Sequence, residues 1–270
     1  MSAQASFFSQ LALQDAVLVT VHSTRGSVPR EKGAWMAVFA QGFVGTIGGG
    51  HLEFEAQALA RERLAGAAGA HIMRFALGPA LGQCCGGEVH LHFERVGVAD
   101  TGRLQHALTA PAHPVALFGG GHVGHALVRV MANLPLAVTW IDSRDEIFPA
   151  HLPANVQCEH SDPVQAGVAH LRAGSRVLIM SFSHAEDLEV VAACLMRQRL
   201  KADLPYVGLI GSQTKWATFC HRLAARGFTA SELAHVTCPI GVPRVVGKAP
   251  EVIAVAVAAQ LLQTLPPDPV

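Results

Sequence analysis

The stretch Pro114–Phe148, PVALFGGGHVGHALVRVMANLPLAVTWIDSRDEIF, predicts the fold of the second half of this chain. An apolar run at 115–118, typical of a strand, leads into a glycine-rich turn that matches G-x-G-x-x-G at Gly119, Gly121 and Gly124. A helical pattern of apolar residues follows, and a second apolar run ends at Asp142, 18 positions after Gly124. The spacing predicts a β-α-β unit of the dinucleotide-binding type, with an acidic residue at the end of its second strand.

The three glycines of this turn have separate physical roles. Gly119 permits the tight turn out of the strand, Gly121 lets the backbone approach a phosphate, and Gly124 lets the helix pack closely on the strand. Free N–H groups and the positive end of the helix dipole then favour an anion at the turn. His122, inside the turn, has three open interpretations: a helix cap, a ligand contact or a solvent-facing side chain.

Asp142 is a further candidate for contact with a nucleotide. A carboxylate at this position suits a pair of ribose hydroxyls and repels a 2′-phosphate, which makes NAD or another nucleotide a candidate ligand. The alternative is that Asp142 is only the solvated end of a strand. The fold does not by itself establish a bound nucleotide, because it tolerates the loss of its ligand.

The composition of the chain argues against several classes of protein. It has 270 residues, of which 50% are hydrophobic and 15% charged, with 20 basic and 20 acidic side chains. A net charge of zero argues against electrostatic binding to nucleic acid or to an anionic membrane surface. No apolar run reaches the roughly 18 residues needed to span a bilayer, and the first residues lack the pattern of a signal peptide. We therefore expect a cytoplasmic protein that binds neither nucleic acid nor membrane.

A second glycine-rich turn lies in the first half of the chain. Gln41-Gly42 predicts a hairpin turn, and Gly48-Gly49-Gly50 then precedes a helix predicted from about His51 to Leu64. This turn is a second candidate site for an anion. Glu53 lies in the first turn of the predicted helix, where the helix dipole alone explains an acidic residue.

Cys84 and Cys85 form the least ordinary local feature of the sequence. They are two of six cysteines, and because the chain has no C-x-x-C pair, neither a disulfide framework nor a zinc-finger pattern is present. A thiol in a polar loop is accessible and can be activated. The interpretations left open are a soft-metal ligand, a sulfur acceptor, a redox thiol, or two small residues in a tight loop.

The two halves of the chain follow different patterns. In the first half, the strand 88–96 alternates so that Glu88, His90, His92 and Glu94 share a face, which either lines a site or is solvated. Periodicity is lost over residues 96–113, and we place the domain boundary there, with domains at 1–110 and 111–270. The prediction is an α/β protein: an N-terminal α+β domain followed by a C-terminal Rossmann-type, doubly wound parallel sheet.

Helix starts are predicted at three places in the second half. Ser161-Asp162-Pro163 predicts a helix with proline at its first position, and Ser183–Glu186 matches a capping box. Pro250 opens a final helix that is apolar almost all round, which predicts burial or an interface. His184 and Asp187 follow a parallel strand at its carboxyl end, where such folds place ligands, although helix capping explains Asp187 equally well.

Six motifs occur in order along the chain: STRGSVPREKGAWMAV, GTIGGGHLE, QCCGG, FGGGHVGHAL with IDSRDEIFP, YVGLIGSQTKWATF, and CPIG with GKAPEVIAVAVAAQ. Together they resemble the xanthine dehydrogenase accessory protein family of the XdhC/CoxI type, from about Val17 to Gln263. The resemblance implies an N-terminal XdhC/CoxI domain and a C-terminal Rossmann domain. One departure is that Gln213-Thr214-Lys215 stands where many relatives are richer in basic residues.

The resemblance also implies a non-catalytic, chaperone-like role. Members of this family bind molybdenum cofactor, a pterin dithiolene that carries a phosphate. They protect it while an L-cysteine desulfurase exchanges an oxo for a sulfido ligand on molybdenum. They then deliver it to apo xanthine dehydrogenase or a related molybdenum hydroxylase, and they are commonly homo-oligomers, often homodimers. We expect the same of this chain.

The resemblance marks candidate residues for binding molybdenum cofactor (molybdopterin) in both halves of the chain. Two of them, Cys84 and Cys85, are also the candidate contacts to molybdenum. The full set is Arg30, Gly33, Gly48, Gly49, Glu53, Cys84, Cys85, Gly119, Gly121, His122, Gly124 and Asp142.

Two other functions stay open on the sequence. An NAD-dependent oxidoreductase would use the G-x-G-x-x-G turn and Asp142 to hold NAD, with His184 as acid or base. The sequence contains no fixed motif that would supply His184 with a catalytic partner. An enzyme that processes the nucleotide of a dinucleotide cofactor would use the same turn.

Overall fold

Each unit of the chain is built around its own β-sheet. The computed structural model describes residues 3–77, 86–108 and 112–266. The chain separates into two compact units, residues 1–110 and residues 111–269. The first unit holds a five-stranded sheet and the second a six-stranded sheet.

The described residues of the first unit form helices α1 (Ala3–Leu11), α2 (Gly50–Leu64) and α3 (Thr101–Leu108) and strands β1 (Ala16–Arg25), β2 (Trp35–Val38), β3 (Phe43–Gly45), β4 (Ile72–Ala76) and β5 (Glu88–Val96). The strands are antiparallel in the order β3-β2-β1-β5-β4. The predicted hairpin at Gln41-Gly42 joins β2 to β3, and the helix predicted after the second glycine-rich turn is α2. This is the expected α+β arrangement.

Strand β1 lies at the centre of this sheet and is buried on both faces. Val17 and Val19 pack with Leu52 of α2 on one face. Leu18 packs with Phe7 of α1 on the other. Because successive side chains of a strand point to opposite faces, helices on both sides of the sheet can share the same central strand.

The end of the first unit contains one confirmed prediction and one helix that the pattern did not reveal. Along β5, Val89, Leu91 and Phe93 are buried while the polar residues between them are partly exposed, as the alternation predicts. The sequence pattern over 96–113 does not predict α3. This helix has eight residues and buries Leu104 alone, so its periodic signal is too short to detect.

The described residues of the second unit form strands β6 (His113–Phe118), β7 (Leu136–Asp142), β8 (Val156–His160), β9 (Arg176–Ile179), β10 (Tyr206–Leu209) and β11 (Val236–Thr237) and helices α4 (His122–Met131), α5 (His184–Lys201), α6 (Gln213–Ala225), α7 (Ala230–Leu233) and α8 (Pro250–Gln263). The strands are all parallel, in the order β11-β10-β9-β6-β7-β8. This confirms the predicted Rossmann-type, doubly wound sheet. The strand order reverses between β6 and β9, and folds of this kind bind ligands beyond the carboxyl ends of the strands at such a reversal.

Helices cover both faces of the parallel sheet. On one face, Leu127 of α4 and Val257 of α8 belong to the same hydrophobic cluster. On the other face, Leu188 of α5 and Phe219 of α6 pack together. α8 begins with proline as predicted and buries one side only, because Val255 is exposed. None of the helices within the described ranges combines the length and the apolar character that crossing a bilayer requires.

One predicted helix start, at Pro163, differs from the observed one; the predicted start of α5 is confirmed, but only half of its predicted capping box forms. Pro163 has extended backbone angles and precedes a short 3₁₀ helix, Val164–His170, instead of occupying the first position of an α-helix. At the start of α5, Ser183 Oγ accepts the Glu186 N–H at 3.2 Å, as a capping box requires. The return half is missing, because the Glu186 carboxylate accepts hydrogen bonds from Phe182 and from Ser143.

Candidate ligand site at the glycine-rich turns

The glycine-rich turn between β6 and α4 excludes a side chain at two of its positions. Gly119 has a φ of +116°, and a Cβ there would lie 1.9 Å from the carbonyl oxygen of Met180. A Cβ at Gly124 would lie 2.2 Å from the carbonyl oxygen of Gly119. Only glycine fits at these positions, because both distances are far below van der Waals contact.

Gly121, between these two positions, faces open space. Its φ of −73° suits any residue, and no atom lies within 4 Å of the place that a Cβ would take. Gly121 and His122, where α4 begins, are both exposed, and the first turn of α4 contains no acidic residue. An anion can therefore approach the first N–H groups of α4, at the positive end of the helix dipole.

The Asp142 carboxylate is buried, with 1% of the residue exposed, so its interpretation as a solvated strand end is wrong. Oδ2 accepts the Gly120 N–H at 2.5 Å and Arg144 Nη2 at 3.0 Å. Oδ1 accepts the Arg144 backbone N–H and Nε, both at 2.9 Å. Asp142 thus anchors the turn and neutralises Arg144, and a ribose would have to compete with these bonds.

These contacts also determine the protonation of Asp142. Burial alone would raise the pKa of this carboxyl group. Hydrogen bonds from the Arg144 side chain and from the backbone N–H groups of Gly120 and Arg144 outweigh burial and hold the pKa below its ordinary value. The carboxylate is therefore ionised at neutral pH, as its pairing with a guanidinium requires.

Trp140, near the end of β7, holds the turn in place although the sequence motif does not include it. Its indole N–H donates to the carbonyl oxygen of Gly119 at 2.9 Å, and its side chain is fully buried. The rings of His125 and Phe148 pack edge-on against it. The apolar pattern of β7 predicts burial of Trp140, and a buried indole N–H needs an acceptor. The need of the Trp140 N–H for an acceptor is the signal that could have linked Trp140 to the turn.

Arg144 and Phe182 form a stacked pair that sequence reasoning missed. The guanidinium carbon of Arg144 lies 4.3 Å from the centroid of the Phe182 ring. Arg144 follows β7 and Phe182 follows β9, and these strands are the two neighbours of β6 in the sheet. The pair therefore joins the two loops that flank the glycine-rich turn.

Glu186 ties the same two loops together. Its Oε1 accepts the Ser143 hydroxyl at 2.8 Å, and its Oε2 accepts the Phe182 N–H at 3.0 Å. One carboxylate in the first turn of α5 thus fixes both the residue before Arg144 and the backbone of Phe182. The half-formed capping box of α5 follows from this, since both oxygens of Glu186 are engaged elsewhere.

A buried ion pair lies at the carboxyl ends of β9 and β10. Asp187 Oδ2 accepts Lys215 Nζ at 2.6 Å, and Oδ1 accepts the Ser181 N–H at 2.7 Å. Lys215 Nζ also donates to the carbonyl oxygen of Ile210 at 2.8 Å. The buried Ser181 hydroxyl oxygen has no hydrogen-bond partner within the part of the chain that the structure describes. His184, the other residue predicted beside Asp187, is exposed, with its ring edge-on to Phe219.

The second glycine-rich turn is filled by a side chain of the protein. Glu53 is buried, and its Oε2 accepts three hydrogen bonds: Thr46 Oγ1 at 2.7 Å, the Gly49 N–H at 2.9 Å and the Ile47 N–H at 3.2 Å. Thr46 Oγ1 in turn accepts the Gly48 N–H at 3.1 Å. The donors of this turn therefore bind the carboxylate of Glu53 instead of being free for an external anion.

Arg30 lies beside this turn, and Gly33 belongs to the same polar loop as Arg30. A Cβ at Gly48 would lie 2.5 Å from Pro29 Cγ and 3.6 Å from Arg30 Cγ, so the polar loop 23–33 packs against the turn. The Arg30 guanidinium pairs with its neighbour Glu31 at 3.2 Å. Gly33 has a φ of +91° and no atom within 4 Å of a Cβ position, which makes it a turn residue of the same loop.

The predicted molybdenum contacts, Cys84 and Cys85, lie outside the described residues. The chain enters their segment after Leu77, whose N–H donates to the Gly87 carbonyl oxygen at 2.8 Å. A Cβ at Gly87 would lie 2.2 Å from the carbonyl oxygen of Ser27, so Gly87 adjoins the polar loop 23–33. Over the described ranges, no three His, Cys, Asp or Glu side chains are grouped so that they could hold a metal ion.

Comparison with solved structures and curated proteins gives the following similarities. A crystal structure described as a xanthine dehydrogenase from Bacillus halodurans has a TM-score of 0.76, 19% identity, and coverage of 98% of this chain and 96% of that chain. At that identity it shows the fold alone. A Rossmann-fold NAD(P)-binding family protein from Shigella flexneri reaches a TM-score of 0.36 at 16% identity, covering 55% of this chain and 86% of that chain. The uncharacterised protein YqeB of Escherichia coli K12 is 26% identical over 253 residues, or 91% of this chain, which spans 43% of the length of YqeB.

Family models match both units. The XdhC and CoxI family model matches residues 11–76, which include the polar loop, the second glycine-rich turn and α2. The XdhC Rossmann domain model matches residues 115–261, more than half of the chain, and so runs from within β6 through β11. The predicted resemblance is confirmed: this chain belongs to the XdhC and CoxI family and carries the XdhC Rossmann domain.

Proposed function

We propose that this protein binds molybdenum cofactor and delivers it to apo xanthine dehydrogenase or a related molybdenum hydroxylase, acting as a chaperone instead of an enzyme. Its family supports an accessory role in the maturation of xanthine dehydrogenase. The observation that carries the proposal is the open face of the glycine-rich turn at Gly121, beside the uncompensated amino end of α4. A carrier of a phosphorylated pterin needs such a binding site for the phosphate.

The turn and its surroundings suit a phosphate. Gly121 leaves room for phosphate oxygens near the backbone, and the first N–H groups of α4 supply donors together with the dipole of the helix. His122 is exposed in that first turn and can add a further donor. Arg144 uses Nε and Nη2 on Asp142, which leaves Nη1 for a ligand.

In the first unit we assign different tasks to the candidate residues. Glu53 and Gly49 stabilise the second glycine-rich turn, and the turn supports the loop that carries Arg30. Arg30 is then the residue of this unit that can face an anionic part of the cofactor. The proposal for Cys84 and Cys85 rests on their chemistry, because soft thiolates suit molybdenum.

The remaining parts of the proposal come from the family. An L-cysteine desulfurase exchanges the oxo for the sulfido ligand while this protein holds the cofactor, and the protein works as a homo-oligomer in the cytoplasm. This chain spans less than half of the length of YqeB. The desulfurase and the homo-oligomer are therefore parts of the proposal.

An NAD-dependent oxidoreductase is not favoured. The carboxylate that would hold the ribose of NAD is already bonded to Gly120 and Arg144. The candidate acid or base, His184, is exposed, and across the described residues no side chain hydrogen-bonds to its ring. His184 is therefore not held in the fixed geometry that proton transfer to a substrate needs.

The test is to incubate the purified protein with molybdenum cofactor, separate it by gel filtration, and measure molybdenum and pterin in the protein peak, with NADH as a parallel ligand. We expect about one equivalent of cofactor per chain and no NADH retained in the protein peak. Firm NADH binding without retained cofactor would contradict the proposal. Cys84→Ser and Cys85→Ser should weaken retention, whereas Cys220→Ser, a partly buried thiol of the second unit, should not.

A further inference from the structure

Phe182 is an exposed aromatic side chain just beyond the carboxyl end of β9. It follows β9, and 66% of the residue is exposed. A single exposed apolar residue is ordinary on a protein surface. Phe182 differs because its backbone N–H is fixed by Glu186 at 3.0 Å and one face of its ring is covered by the Arg144 guanidinium.

Arg144 is equally fixed. Its Nε and Nη2 donate to the two oxygens of Asp142 at 2.9 and 3.0 Å, which sets the plane of the guanidinium. The Asp142 carboxylate is buried, so this pair is less mobile than an ion pair on the surface. The guanidinium carbon of Arg144 lies over the Phe182 ring, 4.3 Å from its centroid, which is a cation–π contact.

The pair lies across the end of the strand that carries the glycine-rich turn. In the sheet, β6 has β7 and β9 as its neighbours, and Arg144 and Phe182 come from the loops that follow these two strands. Glu186 holds both loops through Ser143 and Phe182. A ligand whose phosphate binds at Gly121 therefore has a rigid, planar, partly exposed surface beside it.

We propose that Phe182, backed by Arg144, is a stacking platform for the planar nitrogen heterocycle of a phosphorylated ligand, a purine-like or pterin-like ring. The inference rests on the proposed function, and it names the part of the site that takes the ring. The ring of the ligand lies on the free part of Phe182, and the phosphate lies on the turn. Base–aromatic stacking contributes enough that losing it weakens binding by about tenfold.

The test is to titrate the protein calorimetrically with GMP, with neopterin phosphate and with inorganic phosphate. Phe182→Ala should weaken binding of the two ring-bearing phosphates by about tenfold and leave inorganic phosphate unchanged, while Phe182→Trp should retain or improve binding. Phe54→Ala is the matched control, because Phe54 is also 66% exposed and stacks on the neighbouring His51 ring at 6.2 Å, in the other unit. Tighter binding of one of the two probes identifies the ring as purine-like or pterin-like.

Three calorimetric results would overturn the platform: no binding of either ring-bearing phosphate by the unmodified protein, equal affinities of that protein and Phe182→Ala, or an equal loss in Phe54→Ala. Retention of molybdenum cofactor is measured on the same variants. Equal retention by the unmodified protein and Phe182→Ala overturns the platform and leaves the carrier function standing. Phe182-dependent binding of GMP without any retention of molybdenum cofactor supports the platform and overturns the carrier function.

Discussion

The chain contains two glycine-rich turns that precede helices, and the protein uses their backbone donors differently. In the first unit, Gly48 and Gly49 lead into α2, and the turn binds the carboxylate of Glu53. In the second unit, Gly121 leads into α4, whose first turn has no acidic residue. One turn is therefore occupied by the protein itself, and the other is open to an external anion.

The difference teaches that a glycine-rich turn before a helix is not sufficient for an anion site. Glu53 lies four residues after Gly49 and reaches back to its N–H group. In the second unit the carboxylate that contacts the turn, Asp142, lies 22 residues later in the chain, at the end of β7, and accepts the N–H of Gly120. Where an acidic residue stands in the first helical turn, the anion for the turn is already in the chain.

The largest difference between the two turns is expected when one glycine of each is replaced by alanine. Gly124→Ala places a Cβ 2.2 Å from the Gly119 carbonyl oxygen, which α4 can relieve only by moving off the sheet. We expect a loss of about 4 kcal/mol or more in the unfolding free energy. Gly49→Ala meets nothing within 4 Å, but Gly49 combines a φ of +79° with a ψ of −170°, a region almost restricted to glycine, so this variant should cost about 1–3 kcal/mol.

Urea unfolding of the chain, followed by tryptophan fluorescence, measures both effects. Trp140 and Trp216 report on the second unit and Trp35 on the first. Equal losses in the two variants would mean that the backbone of α4 is not packed as closely as the structure has it.

The unit with the open turn also contains a buried ion pair, Asp187 with Lys215, at the carboxyl ends of β9 and β10. Lys215→Met leaves the Asp187 carboxylate buried without its cation, which should cost about 3–5 kcal/mol of unfolding free energy. The double variant Lys215→Met, Asp187→Leu should recover a large part of that loss, because an apolar pair replaces the charges. Denaturant unfolding of both variants checks this, and a single variant within about 1 kcal/mol of the unmodified protein would contradict it.

Removing the Glu53 carboxylate from the second glycine-rich turn should convert that turn into a site for an external anion. Glu53→Ala leaves the donors of Ile47, Gly49 and Thr46 without their carboxylate and should cost about 2–3 kcal/mol. Acetate or formate should then raise the melting temperature of this variant and not that of the unmodified protein. An equal response of the two proteins to acetate would show that Glu53 does not fill an anion site.

The smallest effect is expected at Asp142 and depends on pH. Its pKa is lowered in the folded protein, so its contribution to stability is full above the unfolded pKa and is lost as pH falls through the folded value. Asp142→Asn should therefore cost about 1–2 kcal/mol at neutral pH. The difference from the unmodified protein should shrink below about pH 4. Unfolding curves at neutral and acidic pH measure this difference in unfolding free energy. A difference that grows on acidification would contradict a lowered pKa of Asp142.

The fold of the second unit was predictable because its signal is local. The stretch Pro114–Phe148 contains a strand, a turn, a helix and a strand in consecutive order, and the parallel sheet follows from repeating that unit. Helix α3 was not predictable from periodicity, since it is short and buries only Leu104. The need for glycine at positions 119 and 124 was also predictable, because the spacing of the G-x-G-x-x-G motif is fixed.

The contacts of the candidate site were less predictable because they join distant parts of the chain. Asp142 was expected at a ribose or in solvent, whereas its partners are Arg144, two residues later, and Gly120 in the turn after β6. The contact between Arg144 and Phe182 requires β7 and β9 to flank β6, which only the strand order supplies. The roles of Cys84 and Cys85 stay predictions.

The central claim is that the turn at Gly121, and not the turn at Gly49, holds the phosphate of molybdenum cofactor. Gel filtration with molybdenum and pterin analysis tests it on Gly121→Asp, Gly121→Ala and Gly49→Ala. Aspartate is a good N-cap, so Gly121→Asp should fold normally while it occupies the N–H groups and repels the phosphate. We predict about one equivalent of cofactor on the unmodified protein and both alanine variants, and at least about tenfold less on Gly121→Asp. The account would be contradicted if Gly121→Asp retained the full amount of cofactor. It would also be contradicted if Gly49→Ala were the only variant to lose the cofactor.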